Sequence, residues 1–166
     1  MMQLLLSIII FAAFATAGYL FWRRYKQRKV FFDNLLSFCN HLLVEISFSK
    51  NTVLSIIENY ARGYNPAFQN VLHGYRAILE NKQDVTRERL DTIMWKHLKP
   101  AERAAVTDFF YELGRHGSTQ EREKIENKKL VFDTFHQTAA AALKKDANIY
   151  LKLFILLGVG VVIILI

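Results

Sequence analysis

Apolar residues fill both ends of this chain, and a polar middle separates them. Residues 1–22 contain no charged side chain, and residues 149–166 contain only Lys152. A helix needs about 20 apolar residues to cross about 30 Å of hydrocarbon. We therefore predict a transmembrane helix over each of these two segments, with a helical domain over residues 23–148 between them.

Basic residues flank both apolar segments on the side that faces the middle of the chain. Short Lys- and Arg-rich flanks are retained on the cytoplasmic side during membrane insertion. The cations that predict topology and contacts with lipid headgroups are Arg23, Arg24, Lys26, Arg28, Lys29, Lys144, Lys145 and Lys152. The middle is therefore expected in the cytoplasm. Lys152 reaches the interface by extending its ammonium group along the helix.

A cleaved signal peptide is the alternative interpretation of the first segment. Ala15, Thr16 and Ala17 resemble a signal-peptidase cleavage site, which has small residues at two positions separated by one residue of any type. Two features oppose cleavage: no basic residue precedes Leu4, and five cations closely follow Trp22, where they resist translocation. We therefore favour an uncleaved anchor.

Apolar residues in the middle recur at helical spacing, and only two prolines occur in the chain. Spacing of i, i+3, i+4 and i+7 from Phe32 to Ile46 predicts the first helix of a bundle. The second helix is expected to be capped by Asn51 or Thr52, and the caps or first residues expected for the next three helices are Asn65, Asp84 and Pro100. The helix capped by Asp84 is expected to extend to Leu98. The predicted fold class is all-α: a cytoplasmic helical bundle flanked by N- and C-terminal transmembrane helices.

A glycine-containing turn precedes the last helix of the middle. The residues predicted for this turn and helix cap are Gly114, Arg115, Gly117, Ser118 and Glu121. The serine and the glutamate have the spacing of a capping box, in which each side chain bonds the backbone amide of the other. Glycines beside a helix start also suit anion binding, but an ordinary turn is the simpler interpretation.

The last helix of the middle is expected to continue into the membrane. Residues 118–157 contain neither proline nor glycine, so the pattern predicts one helix that couples the domain rigidly to the bilayer. A break between Asp146 and Asn148 is the alternative. Within the final segment, Gly158 and Gly160 are expected to allow close packing of the span.

The net charge of +7 points to topology rather than to nucleic acid. Without the eight flanking cations, the chain has 14 Lys and Arg against 15 Asp and Glu, so its body is close to neutral. A nucleic-acid groove needs cations clustered on the domain itself. We therefore predict contacts with the lipid bilayer and no nucleic-acid partner.

The sequence has few candidates for chemistry. His41 and Glu45 have the i, i+4 spacing of two metal ligands on one helix face, but no third ligand accompanies them, so no metal site is predicted. Phosphate-binding, dinucleotide and nucleophile motifs do not occur in the sequence. Cys39 is the only cysteine and is expected to be buried. We predict no cofactor, no catalytic residue and no enzymatic activity.

The order of these features resembles the stage III sporulation protein AB family of endospore-forming bacteria. The stretches that support the resemblance are RRYKQRK, LLVEISFSKNTVLSIIENYARGYNPAF, FFYELGRHGSTQEREKIENKKLVF and IYLKLFILLGVGVVIILI. Together they extend the resemblance over essentially the whole chain. The family tends to have an LGxSD-like turn, and this chain departs from it at Thr119, which replaces the aspartate.

The resemblance implies a helical domain similar to the cytoplasmic domains of type II secretion and type IV pilus platform proteins. It implies a non-catalytic platform in a channel complex between mother cell and forespore, located in the mother-cell-derived outer forespore membrane. The implied partners are the companion stage III sporulation protein AA, a secretion-type ATPase, and other membrane subunits of the channel. A homo-oligomer is left open.

Three other functions are alternatives to the sporulation platform. They are a membrane-anchored helical sensor, a platform subunit of another secretion or pilus system, and a lipid-modifying membrane enzyme. The enzyme needs polar groups that converge near the membrane interface, which the sequence pattern does not indicate.

Overall fold

A computed structural model describes residues 2–48, 52–81, 84–114 and 118–165. These residues are almost entirely helical and contain no β-strand, as the predicted fold class requires. The α-helices are α1 (Met2–Phe48), α2 (Val53–Tyr60), α3 (Pro66–Glu80), α4 (Arg87–Ile93), α5 (Pro100–Glu112), α6 (Ser118–Ala142) and α7 (Asn148–Leu165). A 3₁₀ turn at Ala61–Gly63 follows α2, and a π-helical turn at Leu143–Ala147 joins α6 to α7.

Helix α1 combines two elements that the sequence pattern separates. The first apolar segment and the amphipathic stripe that begins at Phe32 belong to one helix of 47 residues. Between Gly18 and Phe48 the chain contains neither glycine nor proline, and the residues of the basic flank are good helix formers. The helix therefore continues where the hydrophobic pattern changes.

Two of the predicted helix caps are confirmed. Ser55 donates its backbone N–H to Thr52 Oγ1 at 3.3 Å, and Phe68 donates its backbone N–H to Asn65 Oδ1 at 2.9 Å. Pro66 occupies the first turn of α3, where no intrahelical donor is needed. Local hydrogen bonds of this kind begin these helices as the sequence predicts.

The predicted helix from Asp84 to Leu98 is wrong at both ends. The N-cap of α4 is Thr86, whose hydroxyl accepts the N–H of Arg89 at 3.3 Å. The helix ends at Ile93 because the backbone at Met94 is extended. Residues 94–99 form a non-helical link, although Leu98 is still buried. Pro100 disfavours helical backbone at the residue before it, which explains part of this shortening.

The helix that begins at Ser118 continues without a break to Leu165. The expected continuity is therefore confirmed, and a π-helical turn occupies the region where a break was the alternative. Asn148 Nδ2 donates to the carbonyl of Lys144 at 3.1 Å across this turn. Neither proline nor glycine marks the turn in the sequence, so it was not predicted.

Backbone contacts divide the chain into two compact units. One unit contains residues 1–29 and 137–166, and the other contains residues 30–136. This division describes compactness rather than position in a membrane, so the predicted domain limits at residues 23 and 148 remain predictions.

The unit of residues 1–29 and 137–166 brings together two apolar helical segments. The stretches Leu6–Glu45 and Gln120–Ile163 each include a window long and apolar enough to cross a membrane. Only 11% of either window is buried within the protein. Length, composition and outward-facing apolar side chains are consistent with a membrane protein that has two spans.

The unit of residues 30–136 is a helical bundle around an aromatic core. Phe38 lies at its centre, with ring centroids 5.9 Å from Phe68 and 6.2 Å from Phe110. Tyr75 adds a further contact to Phe110 at 5.0 Å. The fully buried large side chains of this core are Phe31, Phe32, Phe38, Phe68, Phe110, Phe132, Tyr75, Leu35, Leu42, Leu72, Ile56 and Ile57.

Candidate functional site

The two apolar helices contact each other through glycine. A Cβ atom built at Gly158 lies 3.2 Å from side-chain atoms of both Phe11 and Phe14, and one built at Gly18 lies 3.0 Å from Phe154 Cβ. At Gly160 no atom lies within 4 Å of such a Cβ. Close contact therefore involves Gly158 and the unpredicted Gly18, and not Gly160. The sequence does not show which glycine faces the partner helix.

Aromatic pairs continue this contact and show its direction. Phe21 lies 5.5 Å from Phe154 and 6.4 Å from Tyr150, measured between ring centroids, and Tyr25 lies 6.5 Å from Tyr150. Positions later in α1 thus contact positions earlier in α7, so the two segments are antiparallel. In this arrangement the start of α1 at Met2 and the end of α7 at Leu165 lie at the same end of the pair, as a two-span protein requires.

Six of the eight predicted topology cations are exposed at one end of this pair. We define the basic cluster as Arg23, Arg24, Lys26, Lys144, Lys145 and Lys152. Lys144 and Lys145 lie in the π-helical turn and Lys152 lies on α7, eight positions after Lys144, which is a rise of about 12 Å. Of the remaining two, Lys29 is half-buried and Arg28 is 7% exposed.

Aromatic rings orient two cations of the basic cluster. Lys26 Nζ lies 5.0 Å from the ring centroid of Trp22, and the Arg24 guanidinium lies 5.7 Å from that of Phe21. Tryptophan and tyrosine prefer the membrane interface, and exposed cations near it attract anionic headgroups. The arrangement has the chemistry of a boundary between membrane and water.

The turn before α6 is held by a buried carboxylate. Gly114 has φ of +80°, a conformation that favours glycine, and it donates its N–H to Glu121 Oε1 at 2.8 Å. Glu121 is 6% exposed, and its Oε2 has no hydrogen-bond partner in the described part of the chain. Because the buried carboxyl group already accepts the N–H of Gly114, this turn does not favour the alternative of anion binding. Of the other predicted turn residues, Arg115, Gly117 and the side chain of Ser118 lie outside the described residues.

A groove between α4 and α5 was not predicted from the sequence. This α4–α5 groove has a volume of about 590 Å³ and is lined by Arg87, Glu88, Asp91, Ala104, Thr107 and Asp108. Thr107 is 5% exposed, and its hydroxyl has no hydrogen-bond partner among the described residues. The lining residues are distant in sequence and follow no motif, so no sequence signal identifies them as a set.

Two ion pairs between arginine and aspartate hold charged side chains in fixed positions at this groove. Arg87 Nε lies 2.6 Å from Asp108 Oδ1, and its guanidinium lies 4.3 Å from the ring centroid of Tyr111. The hydrogen bond to Asp108 raises the pKa of Arg87. Arg103 pairs with Asp91 at 2.5 Å. The groove therefore presents preoriented charged groups, which suits recognition of another protein surface.

His41 and Glu45 share a contact with a third residue. The ring of His41 stacks on Tyr60 with centroids 4.0 Å apart, and the Tyr60 hydroxyl donates to Glu45 Oε1 at 3.0 Å. This hydrogen bond raises the pKa of Tyr60. Among the described residues, no three His, Cys, Asp or Glu side chains are arranged to hold a metal ion.

Cys39 is fully buried in the aromatic core, where the sequence placed it. Burial raises the pKa of its thiol to about 12. Since the thiolate is the reactive form, the folded protein keeps this thiol unreactive near neutral pH.

Comparison with known proteins identifies one family. The family model for stage III sporulation protein AB matches residues 3–166, which is nearly the whole chain. No curated protein and no solved structure gave a significant match.

Proposed function

This chain belongs to the stage III sporulation protein AB family, and we propose that it is a non-catalytic membrane platform of the channel complex between mother cell and forespore. In this role it docks a secretion-type ATPase, the companion stage III sporulation protein AA, on its cytoplasmic domain. We place it in the mother-cell-derived outer forespore membrane with two spans.

The observation that supports a platform most directly is the antiparallel pair of apolar helices with its basic cluster. The contacts of Gly18 and Gly158 join the spans closely, and the basic cluster lies at the end of the pair that leads to the bundle. By the positive-inside rule, this end faces the cytoplasm. The bundle is then presented to soluble partners such as an ATPase.

The α4–α5 groove is the surface that we propose for docking the ATPase. Arginine and tyrosine are enriched among residues that dominate binding energy at protein interfaces. Arg87 and Tyr111 are already stacked, so little side-chain entropy is lost when a partner covers them. The buried hydroxyl of Thr107 offers a polar group whose hydrogen-bonding capacity is unused by the described residues.

Binding of the full-length protein in lipid nanodiscs to the purified ATPase tests this proposal. We expect saturable binding, with ATP hydrolysis confined to the ATPase. The variant Arg87→Ala is expected to weaken binding by about tenfold or more, as is typical of a central arginine at an interface. ATP hydrolysis by the platform alone would contradict the non-catalytic role.

Arg122→Ala is the matched control for this experiment. Arg122 is as exposed as Arg87, with 56% against 58%, and it also pairs with a carboxylate, Glu126 at 3.1 Å. It lies on α6 and does not line the groove. Equal loss of binding in both variants would exclude the groove as the docking surface, and no binding by folded wild-type protein would exclude docking itself.

A further inference from the structure

We propose that the link between α4 and α5 is a second membrane contact, which binds the surface of an anionic lipid bilayer. This link, residues 94–99, has the sequence MWKHLK and is called the basic loop below. Met94 and Leu98 are buried at 3% and 7% exposure. They anchor the loop to the bundle, so that Lys96, His97 and Lys99 are exposed on its outer side.

The position of the basic loop along α1 is fixed by an aromatic stack. Trp95 lies over Phe31, with ring centroids 5.6 Å apart and planes 17° from parallel. Nine residues of α1 separate Phe31 from Trp22, the last residue of the apolar segment, and they rise about 14 Å. The residue on which the basic loop stacks therefore follows the first apolar segment closely in the sequence.

The composition of the basic loop matches the bilayer interface. Tryptophan is enriched at the headgroup level, and cations gain attraction to anionic lipid within a Debye length of about 10 Å. No acidic residue occurs from residue 92 to residue 101. The nearest carboxylates in sequence are engaged elsewhere: Asp91 pairs with Arg103, and Glu102 accepts the N–H of Lys99 at 3.0 Å.

An acidic protein surface is the rival partner for the same cations. The bilayer is favoured because Trp95 stacks on Phe31, which follows the first apolar segment by only nine positions in the sequence. The half-buried Trp95 also matches an interface that is apolar on one side and wet on the other. This inference rests on the proposed membrane topology but not on the ATPase.

Fluorescence of the full-length protein in vesicles tests the inference. The chain has two tryptophans, so Trp22→Phe leaves Trp95 as the only reporter. We expect lipids brominated near the headgroup to quench Trp95 in vesicles of equal parts phosphatidylcholine and phosphatidylglycerol. Quenching is expected to be weaker in phosphatidylcholine alone and to fall as salt is added. Strong quenching of Trp95 by aqueous iodide, with none by brominated lipid, would overturn the inference.

Charge reversal provides the matched comparison. Lys96→Glu is expected to lower the lipid-bound fraction of the loop by roughly fivefold or more, because each cation near an anionic surface contributes about that factor. Arg62→Glu makes the same charge change at another exposed residue and is the control. Arg62 is close in sequence to Tyr60, which stacks on His41 of α1. His41 lies ten positions further along α1 than Phe31, the residue that contacts the basic loop. Equal effects of the two variants would overturn the loop as the contact.

The second reporter separates this inference from the proposed topology. In Trp95→Phe, the remaining Trp22 reports whether the first span enters the bilayer. Quenching of Trp22 by brominated lipid without quenching of Trp95 would refute only the loop contact, whereas loss of both signals would refute the topology as well. Protection of Trp95 from iodide by added ATPase, and not by lipid, would assign the loop to a protein partner instead.

Discussion

The bundle and the apolar helix pair use the same kinds of residue in opposite ways. In the bundle Leu72 is fully buried, whereas in α7 Leu156 is 70% exposed. Removing leucine from water drives the bundle together, but a lipid-facing leucine is already in an apolar solvent. The comparison shows that apolar content alone does not tell whether a side chain is buried by protein or exposed to lipid. The packing of individual side chains decides how the helices of each region contact each other.

The two regions also differ in what joins their helices. Bundle helices are linked at their surfaces by ion pairs, such as that of Arg76 on α3 with Glu58 on α2 at 2.7 Å. The apolar helices instead meet through glycines and stacked aromatic rings. Without a hydrophobic driving force between spans, close van der Waals packing is the main source of association.

The largest effect is expected from shortening a core leucine. Leu72→Ala should lower the free energy of unfolding by about 2–5 kcal/mol, because it removes apolar contacts and leaves a cavity. Leu156→Ala removes the same atoms from an exposed position and should leave the stability of the bundle nearly unchanged. Denaturant titration of the full-length protein in mild detergent measures both. Equal losses would show that α7 is buried by protein rather than by lipid.

Enlarging a glycine between the spans is expected to have the next largest effect. Gly158→Leu forces the added side chain against Phe11 and should destabilise the helix pair by about 1–3 kcal/mol. Gly160→Leu meets no neighbour within 4 Å and is the control. Disulfide formation between cysteines placed at Phe21 and Tyr150 measures how often the spans are in contact. Similar yields in the two variants would contradict the glycine contact.

A smaller effect is expected at the turn before α6. Gly114→Ala places a Cβ on a residue with φ of +80° and should cost about 1–2 kcal/mol. Gly63→Ala is the control, because no atom lies within 4 Å of its added Cβ. Thermal unfolding of the two variants checks the difference. A neutral Gly114→Ala would show that the turn relaxes to another conformation.

The smallest effect at neutral pH is expected from Cys39. Its pKa in the folded protein, about 12, lies above the ordinary value of 9.0 because burial disfavours the thiolate. The contribution of this thiol to the free energy of unfolding is therefore fully present below pH 9.0 and is lost as the pH rises towards 12. The free energy of unfolding should fall over that range more steeply in the wild type than in Cys39→Ala. Iodoacetamide should label Cys39 at neutral pH only after unfolding, and rapid labelling of folded protein would contradict its burial.

Much of the fold follows from local patterns. The caps at Thr52 and Asn65 are correct because each depends on a side chain and an amide only three residues away. The error at Asp84 arises because Thr86 offers an equally good cap two residues later. The predicted extension to Leu98 failed because burial of that residue does not require helical backbone.

The candidate site was less predictable than the fold. The sequence indicated the basic residues and Gly158, whose roles depend on charge, size and position near the spans. It did not indicate Gly18, nor the pairing of Arg87 with Asp108, which are 21 residues apart. Such pairs depend on how separate helices are oriented, and no local spacing encodes that orientation.

The sequence by itself determined two apolar segments with inward-facing basic flanks, the helical class of the middle and most helix starts. These properties depend on the solvent that each residue prefers and on hydrogen bonds within a few residues. Only the tertiary structure decided which glycines touch, how the α4–α5 groove forms and that Trp95 stacks on Phe31. Each of these is a contact between distant parts of the chain, and its geometry is set by the packing of whole helices.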